Sequence, residues 1–283
     1  MGTFTTLIEA KELAKGLQDS DLRVVDTRFR LTDPRAGEQA YRQRHIPGAV
    51  YLHLERDLSG PVTGTSGRHP LPDPRILAAR LGRAGIGNDD QVVVYDDAAG
   101  AIAARLWWLL RWLGHTRVAV LDGGLGAWCG AGFALEEGVI SPRPASFVPG
   151  SGGVRAVTVE ELLGRIGKPP RLLVDAREPP RFLGQMEPID PVAGRIPGSV
   201  NFPFTDNLDD TGRLLGPEPL RRRWRRLLGD TPITGVACLC GSGVTACLDL
   251  LALEIAGMPG AALYAGSWSE WIRDPERPVA TGE

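Results

Sequence analysis

Long apolar runs are missing from this 283-residue chain. No stretch approaches the roughly 18 uncharged residues of a membrane span. The opening MGTFTTLIEAKE carries charge by Glu9 and lacks the apolar centre of a signal peptide. Cysteine is scarce: four residues (Cys129, Cys238, Cys240, Cys247) are too few for a disulfide scaffold in a chain this long, and a reducing, cytoplasmic setting is expected. There is no CxxC, and the four histidines are never paired at i, i+4, so no zinc site is recognisable and no metal or organic cofactor is expected. An excess of one charge is also lacking. The 32 basic and 34 acidic residues give a net −2, which offers no global attraction to nucleic acid or anionic membrane.

Hydrophobic residues make up 43% of the chain, enough for a large core, and its length suits two domains. An internal repeat supports that division. Thr6-Leu7-Ile8-Glu9 reads as a capping box opening a helix to about Leu17, and Leu22–Asp26 as a buried strand ending in Asp26-Thr27-Arg28. Thr158-Val159-Glu160-Glu161 opens a similar helix, and Leu172–Asp175 ends in Asp175-Ala176-Arg177. His45-Ile46-Pro47-Gly48-Ala49-Val50 is answered by Arg195-Ile196-Pro197-Gly198-Ser199-Val200. Further on, Val92–Asp97 reads as a strand, Ile102–Leu113 as a helix with Trp107, Trp108 and Trp112 in the core, and Val118–Leu121 as a strand before Asp122-Gly123-Gly124. The partners of these elements are a strand to Leu239, a helix through Ala256, and Ala261–Tyr264 before Gly266-Ser267-Trp268.

The Pro- and Gly-rich stretch 138–155 reads as a linker between domains at 5–137 and 156–278. Strands alternating with helices imply a mostly parallel sheet flanked by helices in each half. Ligands in such folds bind beyond the carboxyl ends of the strands, with a cleft between the halves as the expected entrance.

Cys240 stands at that kind of place, between an apolar strand and a helix whose inner face is Ala246, Leu250, Leu253 and Ala256. The first N–H groups of a helix lack intrahelical partners and carry partial positive charge, so a thiolate there is stabilised by roughly 0.3–1 kcal/mol. Gly241 and Gly243 let the turn curl N–H groups toward the sulfur. Cys238, Cys247 and Cys129 lack this setting and are expected to be small buried hydrophobes. Thr245 reads as a helix cap through its hydroxyl, and Ser242 either as a cap or, preferred here, as a hydrogen-bond donor to sulfur or substrate. At the repeat offset of 143 residues Asp97 falls on Cys240, leaving the first half with a carboxylate in place of the thiol.

Three motifs, HIPGAV with its RIPGSV echo, CGSGVTA after a strand, and YAGSWSEW near the end, together resemble the two-domain rhodanese-type sulfurtransferases over about residues 5–278. The resemblance implies two tandem rhodanese-like α/β domains, of which only the second is catalytic. It also implies that Cys240 takes sulfane sulfur, holds it as a persulfide and passes it to a thiol such as reduced thioredoxin, or to cyanide. The loop Gly241-Ser242-Gly243-Val244-Thr245 resembles the 3-mercaptopyruvate branch more than the thiosulfate branch, in which Arg and Lys tend to stand at 241 and 242. Arg181 matches an arginine that the mercaptopyruvate branch uses for the substrate carboxylate. Its usual second arginine has no counterpart before Arg195, where only Glu187 and Asp190 are found.

Other features read as structural. Arg177 is expected to pair with Asp175 or Glu178, and His45 to fix a turn. The run Arg221–Arg226 around Trp224 is expected to be a solvated helix face with Trp224 and Leu227-Leu228 inward rather than a nucleic-acid surface. A cysteine phosphatase would need a loop cation about six residues after the thiol. That position is Ala246. The alternatives are a thiosulfate:cyanide sulfurtransferase and a non-turnover sulfur relay or docking module.

Overall fold

The computed structural model describes residues 2–164 and 172–282. The chain forms two units. One comprises residues 1–60, 72–153 and 210–214, and the other residues 61–71, 154–209 and 215–283. The short excursions, 61–71 and 210–214, each belong to the unit that does not contain their sequence neighbours.

In the first unit the strands are β1 (Leu7–Ile8), β2 (Leu22–Asp26), β3 (Val50–Tyr51), β4 (Gln91–Tyr95) and β5 (Val118–Leu121). The helices are α1 (Ala10–Gly16), α2 (Ala36–Gln43), α3 (Pro74–Arg83), α4 (Ala103–Trp112) and α5 (Gly124–Gly130). The sheet order is β1-β5-β4-β2-β3, and every pairing is parallel.

The second unit repeats this plan with β6 (Arg155–Val157), β7 (Leu172–Asp175), β8 (Ser199–Asn201), β9 (Val236–Leu239) and β10 (Ala262–Tyr264), ordered β6-β10-β9-β7-β8 and again parallel. Its helices are α6 (Val159–Leu163), α7 (Pro179–Phe182), α8 (Pro217–Leu228), α9 (Ala246–Ile255) and α10 (Ser267–Trp271). Each half is therefore the expected α/β domain. The central strands β4 and β9 are buried along their whole length, because both faces of a parallel sheet are covered by helices.

The sequence expectations for β2, β5 and β7 match the observed spans, and Thr158 and Glu161 form a reciprocal capping box. The first half departs from this. Leu7 and Ile8 pair with β5, so α1 starts only at Ala10, with Glu9 as its N-cap and no side-chain cap. Thr6 is thus not a helix cap: strand pairing takes the residues that a capping box would use. The stretch 138–155 is not free chain either. The N–H of Ala145 donates to Gly82 O, that of Gly150 to Leu113 O, and that of Ile140 to the Tyr41 hydroxyl, which fastens it to the first unit as far as Gly153.

Cys238 and Cys247 are buried as expected, but Cys129 is exposed near the end of α5, on the face that Trp128 does not occupy. Trp107 and Trp108 are fully buried, while Trp112 is half-buried and stacks on Trp108 at 5.9 Å. Trp224 and Leu228 face inward from α8, and Arg222, Arg223, Arg225 and Arg226 are exposed. His45 is buried, 2.8 Å from Tyr41 O, and stacked on the Tyr41 ring. Among the described residues, no helix is long and apolar enough to cross a membrane.

Candidate active site

Cys240 follows directly on β9, and α9 begins six residues later. Its thiol is nearly enclosed, at 2% exposure. The backbone N–H of Gly243 donates to Cys240 Sγ at 3.2 Å. Gly243 has φ +74°, and a Cβ there would lie 2.2 Å from Ala265 O, so both conformation and space require glycine at the turn that aims this N–H.

The turn after β10 clamps the cysteine from its other side. Cys240 N–H donates to Ser267 Oγ (3.1 Å), Trp268 N–H to Cys240 O (3.0 Å) and Ser269 N–H to Gly241 O (2.9 Å). Ser267 adopts φ +55°, costly for a residue with a Cβ, while its hydroxyl both accepts from Cys240 and donates to Tyr264 O. The first half has Gly124 at the repeat position, also at φ +55°.

Two residues beside the thiol loop were not expected from the sequence, because both come from the excursion at 61–71. His69 Nδ1 lies 2.8 Å from Ser242 Oγ, and the N-cap position of α9 belongs to Thr245 rather than to Ser242. A Cβ on Gly241 would lie 3.1 Å from Arg68 Nη2 and 3.5 Å from both Nη atoms of Arg181, which places two guanidinium groups over the turn. Arg68 is thus a second arginine beside the turn, from a part of the chain outside the stretch between Arg181 and Arg195. The only advance signal for it was an arginine-histidine pair in a loop, too short to read.

Two carboxylates balance these cations. Arg181 turns its Nε and Nη2 edge to Glu187 at 2.7–3.1 Å and reaches Asp190 at 3.1 Å. Asp190 also accepts from Arg68 Nη1. A two-pronged grip of Arg181 on a substrate carboxylate is therefore not available at that edge. What remains directed at the loop is Arg181 Nη1 together with Arg68 Nη2, while Arg68 Nε is buried with no hydrogen-bond partner among the described residues. Burial pushes the Glu187 carboxyl up, but Arg181 and the N–H groups of Asp190 and Ile189 outweigh it and hold Glu187 below the ordinary glutamate range.

Arg177 is structural. It pairs with Asp175 at 2.7 Å, donates to Gly194 O and lies over the Trp268 ring, and Glu187 rather than Glu178 is its second carboxylate. Thr245 occupies the N-cap position of α9 but makes no side-chain capping bond, and Val244 is buried beside it.

The corresponding turn of the first unit corrects one residue. Thr27 N–H donates to Tyr95 O as Ala176 N–H donates to Leu239 O, and Leu125 N–H to Asp96 O as Trp268 N–H to Cys240 O. The counterpart of Cys240 is thus Asp96, and Asp97 is one residue beyond it, because this turn is one residue longer. The Asp96 carboxylate is fully buried and accepts four backbone N–H groups, from Ala98, Gly100, Ile102 and Ala103, at 2.8–2.9 Å. Asp97 points outward to Arg30 at 2.8 Å.

Residues 9–131 and 158–274 each match the family model for the rhodanese-like domain. The chain is 53% identical over 279 residues, 98% of either chain, to the "Probable 3-mercaptopyruvate sulfurtransferase" of Pseudomonas aeruginosa. It is 34% identical over 293 residues to the thiosulfate sulfurtransferase of Rattus norvegicus, covering 99% of this chain and 97% of the rat protein. Among solved structures it is similar to the 3-mercaptopyruvate sulfurtransferase from Leishmania major, with a TM-score of 0.83 and 30% identity over 94% of this chain and 74% of that one.

Proposed function

The chain belongs to the rhodanese-like family and is a two-domain sulfurtransferase, and on that premise we propose that it moves sulfur from 3-mercaptopyruvate to a thiol through a persulfide on Cys240. The Cys240 thiolate attacks the donor's sulfur, forming the S–S bond as the carbon–sulfur bond breaks, and its electron pair leaves on carbon as the enolate of pyruvate. A proton delivered to that carbon completes pyruvate, and Ser242, 2.8 Å from His69, is the hydroxyl placed to meet the donor's carbonyl oxygen. A thiolate acceptor then attacks the outer sulfur and restores the Cys240 thiolate. With a dithiol such as reduced thioredoxin, the second thiol displaces the sulfur as hydrosulfide and a disulfide forms. Cyanide would leave as thiocyanate. The four free thiols support a reducing, cytoplasmic setting.

One observation carries the choice of donor. The two arginines over Gly241 are matched by two buried carboxylates, so the site offers directed N–H groups with little net positive charge. That balance suits the single carboxylate of mercaptopyruvate, held by Arg181 Nη1 and Arg68 Nη2, better than the dianion thiosulfate. Kinetics with both donors test it: a higher kcat/KM for mercaptopyruvate is expected, and a preference for thiosulfate would overturn it.

A further inference from the structure

One cavity of the first unit is lined by residues that the thiol site does not use. A cleft of about 600 Å³ opens in the first unit between α2, β3, the end of α3 and the stretch 139–142. Its volume is that of sites for small organic ligands, which are commonly about 300–1,000 Å³. The walls have two characters. Leu52, Tyr51, Pro142 and Val139 form an apolar side, and Val139 is 56% exposed although it is a large aliphatic residue. The rim carries Arg42, Arg56, Arg80 and Arg83 against Glu38 and Asp57.

The ion pairs show which of these charges are spent. Glu38 accepts from Arg42 at 2.8 Å and from Arg56 at 3.3 Å, and Arg56 also reaches Asp57 at 3.4 Å. Arg80 Nη1 binds only backbone oxygens, those of Asp57 and Ser59, and Arg83 has no carboxylate partner among the described residues. Arg80 and Arg83 stand at i, i+3 in the last turn of α3 and face one patch. Two positive charges without a carboxylate partner among the described residues therefore border a cleft whose exposed apolar residue is Val139.

We propose that this cleft binds a small organic acid with an apolar or aromatic body, its anionic head at Arg80 and Arg83 and its body against Tyr51, Leu52 and Val139. Charge complementarity fixes the head, since a guanidinium pair with no carboxylate partner among the described residues gains most from an acid. The exposed Val139 side chain and the half-buried Tyr51 ring fix the body, whose contact removes apolar surface from water. The site lies in the unit without the reactive cysteine and is independent of the sulfur donor.

A matched pair of probes tests this. 8-Anilinonaphthalene-1-sulfonate and N-phenyl-1-naphthylamine share a body, and only the first bears an anion. Calorimetric and fluorescence titration of the full chain should show one saturable site for the sulfonate and at least tenfold weaker binding of the neutral amine. Arg83→Glu, at an exposed position without a carboxylate partner among the described residues, should weaken the sulfonate at least tenfold, and Val139→Asp should weaken both probes. Arg68→Ala with Arg181→Ala should leave sulfonate binding unchanged. Equal binding of the two probes, an unaltered Arg83→Glu protein, or loss of binding only in the Arg68/Arg181 variant would overturn the proposal.

Discussion

Ser242 Oγ and His69 Nδ1 lie 2.8 Å apart although 173 positions separate them in the chain. A neutral hydrogen bond of this kind contributes about 0.5–1.5 kcal/mol. If the pair orients the hydroxyl toward the donor carbonyl, His69→Ala and Ser242→Ala should each lower kcat/KM for mercaptopyruvate by roughly 2–10-fold. The double variant should lose little more than the worse single one, because both remove one interaction. Fully multiplicative losses in steady-state kinetics would mean that the two residues act separately.

Arg68 and Arg181 are predicted to share the donor carboxylate. Arg68→Ala and Arg181→Ala should each reduce kcat/KM for mercaptopyruvate by about 10–100-fold, corresponding to roughly 1.5–3 kcal/mol for a charge-assisted hydrogen bond. Asp190→Asn, which removes the carboxylate touching both arginines, should shift the ratio of kcat/KM values toward thiosulfate. An unchanged ratio would remove the charge balance as the basis of donor choice.

The first-unit turn makes a contrast in stability. Asp96→Ala leaves four inward N–H groups without their buried acceptor and should cost about 3–5 kcal/mol, whereas Asp97→Ala breaks only a partly exposed ion pair and should cost less than about 1 kcal/mol. Chemical denaturation of the two variants measures this. Similar costs would contradict the assignment of Asp96 as the buried counterpart of Cys240.

That correction shows where the sequence was readable and where it was not. The repeats of the Asp-x-Arg and Ile-Pro-Gly motifs located both sheets, since those residues serve local turns and pairings such as Arg28 on Asp26 and Arg177 on Asp175. The strand-to-helix turn at Cys240 was legible because its bracketing glycines are a local feature. An offset counted from the helix and the following glycines misplaced Asp97, because the first-half turn holds one extra residue that only the strand pairing exposes. Arg68 and His69 were not legible, as their place depends on an excursion of the chain into the other unit.

Asp249 adds a pH-dependent expectation. It is fully buried in α9, with Oδ1 accepting from Asn207 at 2.7 Å and Oδ2 without a partner among the described residues. Burial pushes its carboxyl well above the usual carboxylate range, and the Asn207 hydrogen bond only partly opposes this. Below the unfolded value of about 3.9 both states are protonated and no penalty arises. As pH rises above it, the unfolded chain releases the proton while the fold retains it, and stability falls. Asp249→Asn should therefore raise the melting temperature at pH 7, with the gain shrinking toward pH 4. An equal change at both pH values would show that packing, not titration, governs the site.

The central claim is that Cys240 is the sulfur carrier. Intact-mass measurement after treatment with 3-mercaptopyruvate, with no acceptor present, should show the wild-type chain heavier by one sulfur atom. The same gain should appear in Cys129→Ser, Cys238→Ser and Cys247→Ser, be absent in Cys240→Ser, and be reversed by adding a thiol. Sulfur retained on the Cys240→Ser protein would contradict the account.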